Sequence, residues 1–504
     1  MSMNISEAKN QVKYTVTAYL SKDETGEYLV PVERQRPLFL IGPPGIGKTD
    51  IMAQVAYEMD IALVAYSMTH HTRQSALGLP YIKEKEYGGR EFRTTEYTMS
   101  EIIASVYDAM EDTGKKEGIL FLDEINCISE TLAPSMLQFL QQKIFGRHRL
   151  PEGWVVITAG NPPEYNSSVR PFDLATMDRL KLLEVEPDYQ AWKKYAVAEG
   201  IHSSVLNYLE VKPDDFYSVR TTVDGKEFVT ARGWVDLATM IRLYEKNELP
   251  INLTLIGQYI QDERIARDFA AYYELFHRYR RIYDVAKILE GRAGEEVSKQ
   301  VAEAPIDERI TFVRLLTDAL NQEFRSVEIA EKALGAVSKI IKDHKEEITE
   351  GSTTEAAALL HILIPADREE TRRAKAAHGL PAAERMKRRQ VQTMLGEMES
   401  LLSAESGSAQ AVIRGYLKER NEKREAGVRE ASQHLENAFH FLEQTFGESN
   451  EMLIFITTLT DDKAAAYFIA RHGSESYYRY NKELLFYERG QGLLDEMEAF
   501  LKEE

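Results

Sequence analysis

The chain has 504 residues, 43% of them hydrophobic, which is enough for two or three domains that each bury their own core. Its net charge of −19 argues against a nucleic-acid-binding surface along the whole chain, but it allows a local basic patch. The single cysteine, Cys127, excludes an intramolecular disulfide and indicates a reducing compartment. The polar N-terminus, without a signal-peptide pattern, and the absence of any membrane-spanning apolar run predict a soluble, cytoplasmic protein.

Between Pro37 and about Pro187, short apolar runs alternate with helical patterns, which is typical of a parallel α/β sheet. The predicted strands are Leu38–Ile41, Ile61–Tyr66, Gly118–Leu122, Trp154–Thr158 and Leu180–Val185. The segment 1–36 is mixed and polar, and Tyr14–Tyr19 is its candidate strand. Beyond Asp188 helical periodicity dominates, and small polar loops are predicted at 350–354 and 403–408.

The most informative motif is a phosphate-binding loop, Gly42-Pro43-Pro44-Gly45-Ile46-Gly47-Lys48-Thr49. The apolar run 37–41 before it predicts a buried strand, and 48–59 after it predicts a helix. The glycines let several backbone N–H groups point at one anion, Lys48 reaches the outer phosphates, and the Thr49 hydroxyl is placed to ligate Mg²⁺. The string can arise by chance in a glycine-rich linker, but the flanking strand and helix favour a nucleotide site.

An acidic pair, Asp123 and Glu124, follows the apolar run Ile119-Leu120-Phe121-Leu122, which predicts a buried strand. The carboxyl end of that strand would lie beside the phosphate loop in a parallel sheet. Asp123 is then expected to hold the Mg²⁺ shell, and Glu124 to polarise the attacking water. The alternative is a helix N-cap, where acidic residues also gather.

The following strand, Trp154–Thr158, leads into Asn161, which is flanked by Gly160 and Pro162. At that strand end Asn161 can reach the γ-phosphate and the water. The alternative is a simple Asn-Pro turn. We favour the first interpretation because this strand is the next one after the acidic pair.

Together these three motifs resemble the AAA+ ATPases, and the surrounding sequence resembles their MoxR branch. The branch-specific features are Asn161-Pro162, Asp178-Arg179-Leu180 and Thr230-Ala231-Arg232, and the resemblance spans about 38–244. It implies a P-loop αβα core over 37–188 with a parallel five-stranded sheet. It also implies a helical lid over 189–290. Outside the resemblance, helical periodicity predicts an additional all-helical C-terminal region over 291–504.

The resemblance implies ATP and Mg²⁺ as cofactors and assigns three further roles. Asn161 would be sensor 1, and Arg232 would be sensor 2, which reaches the nucleotide of its own subunit from the lid. Arg179 would be the arginine finger that enters a neighbouring subunit's site, so the resemblance also implies a ring, usually a hexamer. The alternatives are a helix C-terminal cation for Arg179 and a solvated arginine near a helix start for Arg232.

Three other segments carry weaker signals. Residues 81–97 predict a charged β-hairpin with a Gly88-Gly89 turn, and the MoxR branch carries such an insert facing the channel of the ring. His70 and His71 are more consistent with hydrogen-bonding loop residues than with a metal site, because adjacent side chains in an extended segment diverge. Arg147 and Arg149 fit either a second contact to the neighbour's nucleotide or a charge cluster at a hairpin tip.

The densest basic stretch lies between Arg368 and Arg389. We interpret it as a solvated helical face rather than a nucleic-acid contact, because no aromatic residue interleaves to stack a base. The expected function is therefore that of a chaperone-like ATPase that remodels protein partners, and the MoxR resemblance implies partners with a von Willebrand factor A domain. The alternative is a helicase-like nucleic-acid motor. A nucleotide-gated scaffold without catalysis is the weakest hypothesis.

Overall fold

The structure is a computed structural model that describes residues 2–70, 74, 76, 78–166, 169–170, 172–222, 225–345, 352–376, 380–404 and 408–482. Its strands are β1 (Ser2–Met3), β2 (Leu38–Ile41), β3 (Ala62–Ser67), β4 (Pro80–Tyr87), β5 (Arg90–Tyr97), β6 (Gly118–Asp123), β7 (Ile144–Phe145), β8 (His148–Arg149), β9 (Trp154–Gly160), β10 (Lys181–Val185), β11 (Ser218–Thr222) and β12 (Gly225–Val229).

Helices of the described residues between the N-terminus and residue 282 come first. They are α1 (Ile5–Tyr19), α2 (Lys48–Glu58), α3 (Glu101–Thr113), α4 (Ala133–Gln142), α5 (Leu174–Met177), α6 (Tyr189–Ala198), α7 (Ser203–Val211), α8 (Ala231–Lys246), α9 (Leu253–Tyr259) and α10 (Glu263–Ile282). The remaining helices are α11 (Val285–Leu289), α12 (Glu295–Glu303), α13 (Ile306–Asp343), α14 (Thr353–Ala376), α15 (Ala382–Ala404), α16 (Ala409–Phe446), α17 (Asn450–Asp461) and α18 (Lys463–His472). Residues 475–482 are also helical.

The core is a parallel sheet with strand order β1-β10-β2-β9-β6-β3. Successive side chains of each central strand enter opposite apolar clusters: Leu38 and Leu40 pack on one side of β2, and Phe39 packs on the other. Both faces of the sheet are therefore covered, as expected of a doubly wound α/β fold. The predicted P-loop αβα fold with a helical C-terminal region is confirmed.

The predicted five-stranded sheet is wrong by one strand, because β1 pairs with β10 at the edge and makes six. Two residues, Ser2 and Met3, are too few to produce a recognisable alternation. The candidate strand at Tyr14–Tyr19 is also wrong, since these residues end α1. A reciprocal capping box between Asn4 and Glu7 starts this helix, and a buried stripe that includes Val12 and Val16 follows the helical period.

Two hairpins extend from the core. Residues 80–97, where the sequence predicts a hairpin, form the antiparallel pair β4–β5, and both Gly88 and Gly89 take positive φ at its turn. The smaller pair β7–β8 places Arg147 at its tip. Arg147 Nη1 donates to Glu96 Oε1 at 2.8 Å. Arg149 pairs with Glu33, so both arginines bind carboxylates of their own chain.

The region 189–290 is mainly helical, and its helices α6 to α10 share one apolar cluster that contains Tyr208, Trp234 and Phe269. It also contains the hairpin β11–β12, which the sequence analysis did not predict. Most side chains of this hairpin are partly or fully exposed, so an apolar alternation is weak there.

The C-terminal region is built on two long helices, α13 and α16, each of 38 residues. One apolar cluster joins the N-terminal half of α13 and the C-terminal half of α16 to α11, α12, α17 and α18. A second cluster joins their other ends to the α14–α15 hairpin. Within the described residues no helix is long and apolar enough to cross a membrane.

The predicted loops at 350–354 and 403–408 fall partly outside the described residues, at 350–351 and 405–407. Thr353 already belongs to α14, and Ala404 still belongs to α15. His71 and the side chain of His70 also lie outside the part of the chain that the structure describes.

Candidate nucleotide-binding site

Four neighbouring strands bring polar residues to one edge of the sheet. The loop Gly42–Thr49 follows β2, Asn161 follows β9, Asp123 ends β6 and Ser67 ends β3. These strands are adjacent in the order β2-β9-β6-β3 and run parallel, so their carboxyl ends meet. This edge is where open α/β sheets bind ligands.

The shape of the phosphate loop depends on its glycines. Gly45 and Gly47 have φ of 75° and 93°, a region that side chains with a Cβ rarely occupy. Gly42 is required for space, because a Cβ there would lie 2.4 Å from Val185 O. Gly47 is the N-cap of α2 and provides no side-chain cap, so the first-turn amides of that helix stay available to an anion.

Lys48 is 8% exposed and lies beneath this loop. Its Nζ donates to Gly42 O and Pro43 O, both at 2.8 Å, and to Asn161 Oδ1 at 3.0 Å. Burial lowers the pKa of Lys48 to about 8, although the charge of Asp123 acts in the opposite direction. A buried ammonium bonded only to neutral oxygens is a strong binding partner for phosphate.

The Thr49 hydroxyl donates to Asp123 Oδ2 at 2.8 Å. A hydroxyl and a carboxylate are hard oxygen donors of the kind that Mg²⁺ accepts. Among the described residues no group of three or more His, Cys, Asp or Glu side chains could hold a metal alone. The donor set therefore fits Mg²⁺ that is carried by nucleotide phosphates, because this ion commonly uses one or two protein ligands, phosphate oxygens and water.

Glu124 adopts a left-handed backbone conformation with φ of 55° and ψ of 36°. Its N–H donates to Asp123 Oδ1 at 2.9 Å. The carboxylate Oε2 accepts hydrogen bonds from Ser67 Oγ at 3.0 Å and Thr69 Oγ1 at 3.1 Å. Two hydroxyls thus fix the direction of a carboxylate whose backbone conformation is uncommon for a residue other than glycine.

The region predicted as the lid, 189–290, contacts the phosphate loop. Tyr217 OH donates to Pro44 O at 3.0 Å, and Arg232 N donates to Gly45 O at 3.2 Å. A Cβ on Gly45 would lie 2.9 Å from Thr230 Oγ1, so the lid packs closely here. The backbone of Arg232 is therefore at the site, while its side chain is exposed and its positive charge contributes to lowering the pKa of Lys48.

The structure does not bring Arg179 into this cluster. Arg179 follows the short helix α5, is exposed, and donates from Nη1 to Ala175 O at 3.0 Å. Leu174, the first residue of α5, is 90% exposed. Of the predicted site residues, the loop, Asp123, Glu124, Asn161 and the backbone of Arg232 converge, and Arg179 lies apart.

Comparison with known protein families gives a match to the segment that carries these strands. Residues 37–180 match the family model of an AAA domain of the dynein-related subfamily. The match supports an AAA+ ATPase core and, with it, generic ATP hydrolysis. It ends before the lid and the C-terminal helices, and no curated protein matches the chain.

Within the AAA domain, sequence reasoning missed Ser67, Thr69 and Asn126, and in the lid it missed Tyr217. Ser67 could have been found, since it ends the strand that neighbours the acidic strand. Tyr217 offered no signal, because its role depends on a contact across 173 residues of sequence.

Proposed function

We propose that this protein is a MoxR-like AAA+ chaperone that hydrolyses ATP with Mg²⁺ to remodel or activate protein partners. The observation that carries the proposal is the convergence of the phosphate loop, Asp123, Glu124 and Asn161 on one sheet edge, with Lys48 buried between loop and strand. Bound MgATP supplies a phosphoanhydride bond whose hydrolysis releases free energy. We assign 37–188 to the core, 189–290 to the lid and 291–504 to the C-terminal helices.

Each residue has a distinct task in this proposal. The amides of the loop and Lys48 bind the phosphates, while Thr49 and Asp123 hold the metal shell. Glu124 accepts a proton from water, and Ser67 and Thr69 orient its carboxylate before it acts. Asn161 holds the far side of the Lys48 ammonium at 3.0 Å and fixes its direction.

The lid offers a path from the nucleotide to the rest of the chain. One side of it contacts the phosphate loop through Tyr217, and the other side contacts the C-terminal helices. Asn207 Nδ2 donates to Asp318 Oδ2 at 3.2 Å, and Arg385 Nη2 donates to Glu199 Oε2 at 2.8 Å. Lid movement during nucleotide exchange would therefore displace helices that are available to a partner.

We further propose a ring, with Arg179 acting in the neighbouring subunit's site. Three observations support this role: Arg179 is exposed, its side chain donates to Ala175 O, and Leu174, five residues before it, is also exposed. Mixing Lys48→Ala with Arg179→Ala subunits should restore activity, because some interfaces would then join an intact pocket to an intact arginine. The matched control replaces Arg179→Ala by Lys48→Ala/Arg179→Ala, which has no intact pocket and should give no gain.

One result of the mixing experiment would contradict the proposed action of Arg179 in the neighbouring subunit. ATPase activity of the first mixture that never exceeds that of either parent, with subunit mixing confirmed by mass spectrometry, would mean that Arg179 acts within its own subunit or only supports the fold.

The partner is tested by its affinity in two nucleotide states. A von Willebrand factor A-domain protein encoded nearby should bind Glu124→Gln with ATP more tightly than wild type with ADP, since a partner biases the cycle only through different affinities. Equal affinities would reject it as the remodelled partner.

The same preparation separates remodelling of proteins from action on nucleic acid. In the described part of the basic stretch, Arg372 pairs with Glu369, Arg385 with Glu199, and Arg388 with Glu370. These pairs leave less positive charge for a phosphate backbone, so we expect single-stranded DNA or RNA to leave the ATPase rate unchanged. Strong, salt-dependent stimulation by either would favour the motor instead.

A further inference from the structure

Asn126 is a buried polar residue two positions after Glu124, and it is 4% exposed. Its Nδ2 donates to Asn161 O at 2.8 Å. A backbone carbonyl can only accept, so this contact fixes which end of the carboxamide faces Asn161. The backbone of Asn126 is fixed as well, because its own carbonyl accepts from Arg170 N at 2.9 Å.

The other end of the carboxamide is in an unusual environment. Asn126 Oδ1 is buried, and no hydrogen-bond donor among the described residues reaches it. It lies against Gly160, where an added Cβ would be 2.4 Å from this oxygen. The φ of Gly160 is not positive, so glycine is required there for space and not for backbone conformation. A buried acceptor without a partner destabilises a fold, which argues that Asn126 is kept for its amide donor.

Asn161 is consequently held at both ends. Asn126 fixes its backbone carbonyl, and Lys48 Nζ donates to its side-chain oxygen at 3.0 Å. The residue before it is also tied to the phosphate loop, since Gly42 N donates to Gly160 O at 3.3 Å. The turn after β9 is thus bonded on one side to the phosphate loop and on the other to Asn126, which follows the acidic strand β6. Asn126 makes its bond through its side chain.

We propose that Asn126 is a positioning residue for ATP hydrolysis, which sets the Asn161 carboxamide and, through it, the Lys48 ammonium. The inference rests on the proposed function of the site. Loss of the Asn126 donor should lower kcat at least tenfold, because small displacements of polar groups in such sites are costly. Nucleotide affinity should change less than threefold, since the amides of the loop remain in place.

The experiment must separate the effect of Asn126 on positioning from its effect on packing. The close contact between Asn126 Oδ1 and a Cβ added at position 160 makes this possible. Asn126→Ala removes the donor and leaves a space, whereas Gly160→Ala alone should be destabilised by the contact with Asn126. In Asn126→Ala/Gly160→Ala the new methyl group enters the vacated space, so the thermal midpoint should rise above that of Gly160→Ala. Asn126→Leu approximately keeps the shape and removes the donor, and it serves if the alanine variant does not fold.

For each variant we would measure kcat, KM, the Kd of a fluorescent ATP analogue and the thermal midpoint. The inference predicts low kcat with near-normal Kd in Asn126→Ala, Asn126→Leu and the double variant, even where the thermal midpoint recovers. A kcat that follows the thermal midpoint and recovers in the double variant would overturn it, as would wild-type kcat in Asn126→Ala. A wild-type protein without ATPase activity would instead reject the proposed function itself.

Discussion

The depressed pKa of Lys48 predicts that nucleotide affinity depends on pH above neutrality. In the nucleotide-free site burial lowers this pKa to about 8, whereas bound phosphates would stabilise the ammonium and raise it. Below pH 7 the lysine is charged in both states, so affinity should not change with pH. Above pH 8 binding must take up a proton, and affinity should fall as pH rises.

The size of the effect follows from the fraction of charged lysine. At pH 9, with a pKa of about 8, only about one-tenth of the nucleotide-free protein carries the Lys48 proton. We therefore expect about tenfold weaker binding than at pH 7, which corresponds to about 1.4 kcal/mol.

The assay is a titration of Glu124→Gln with a fluorescent ATP analogue at saturating Mg²⁺ from pH 7 to 9. Circular dichroism at each pH verifies that the protein stays folded. The matched control, Glu124→Gln/Lys48→Met, should bind weakly with little dependence on pH. Two results would refute the reasoning: an ATP affinity of Glu124→Gln that stays constant up to pH 9, or an equal fall in affinity with pH in the Glu124→Gln/Lys48→Met control.

Three further predictions concern single side chains. Tyr217→Phe loses the hydrogen bond to Pro44 O, worth about 1 kcal/mol, so ATP should bind two- to fivefold more weakly in a direct Kd measurement. Thr49→Val keeps the side-chain volume but removes the hydroxyl beside Asp123, so the Mg²⁺ concentration for half-maximal ATPase rate should rise about tenfold. Lys143 is 1% exposed, and burial lowers its pKa to about 8, so the unfolded chain holds its proton between pH 8 and 10.5 while the folded chain does not. Folding stability should therefore rise by about 1 kcal/mol between pH 7 and 9 because of this lysine, and Lys143→Met should remove that rise, as measured by denaturant midpoints at pH 7 and 9.

The sequence predicts those elements that are specified by residues adjacent to one another in the chain. The phosphate loop, the Asp123-Glu124 pair and Asn161 each follow a short apolar run, and parallel strands bring their carboxyl ends together without further information. The β4–β5 hairpin was predictable for the same reason, since Gly88 and Gly89 specify its turn locally.

The remainder depends on contacts between distant parts of the chain. Strand β1 exists only because Met3 pairs with Val185, and Asn126 acquires its role only beside Gly160. The contact of Arg232 with the loop uses its backbone amide, which any residue except proline could supply, so the side chain carried no signal of it. Local β-branched residues suggested a strand within α1, but the capping box and the buried helical stripe determined the structure.

The most direct test of the central claim compares Glu124→Gln with Lys48→Ala. Glu124→Gln removes the carboxylate that accepts the proton from water but leaves Lys48, Thr49 and Asp123 in place. We predict that it binds ATP as tightly as wild type and turns it over at least a hundredfold more slowly, whereas Lys48→Ala loses binding. Equal loss of ATP affinity in both variants, or wild-type turnover in Glu124→Gln, would contradict the account.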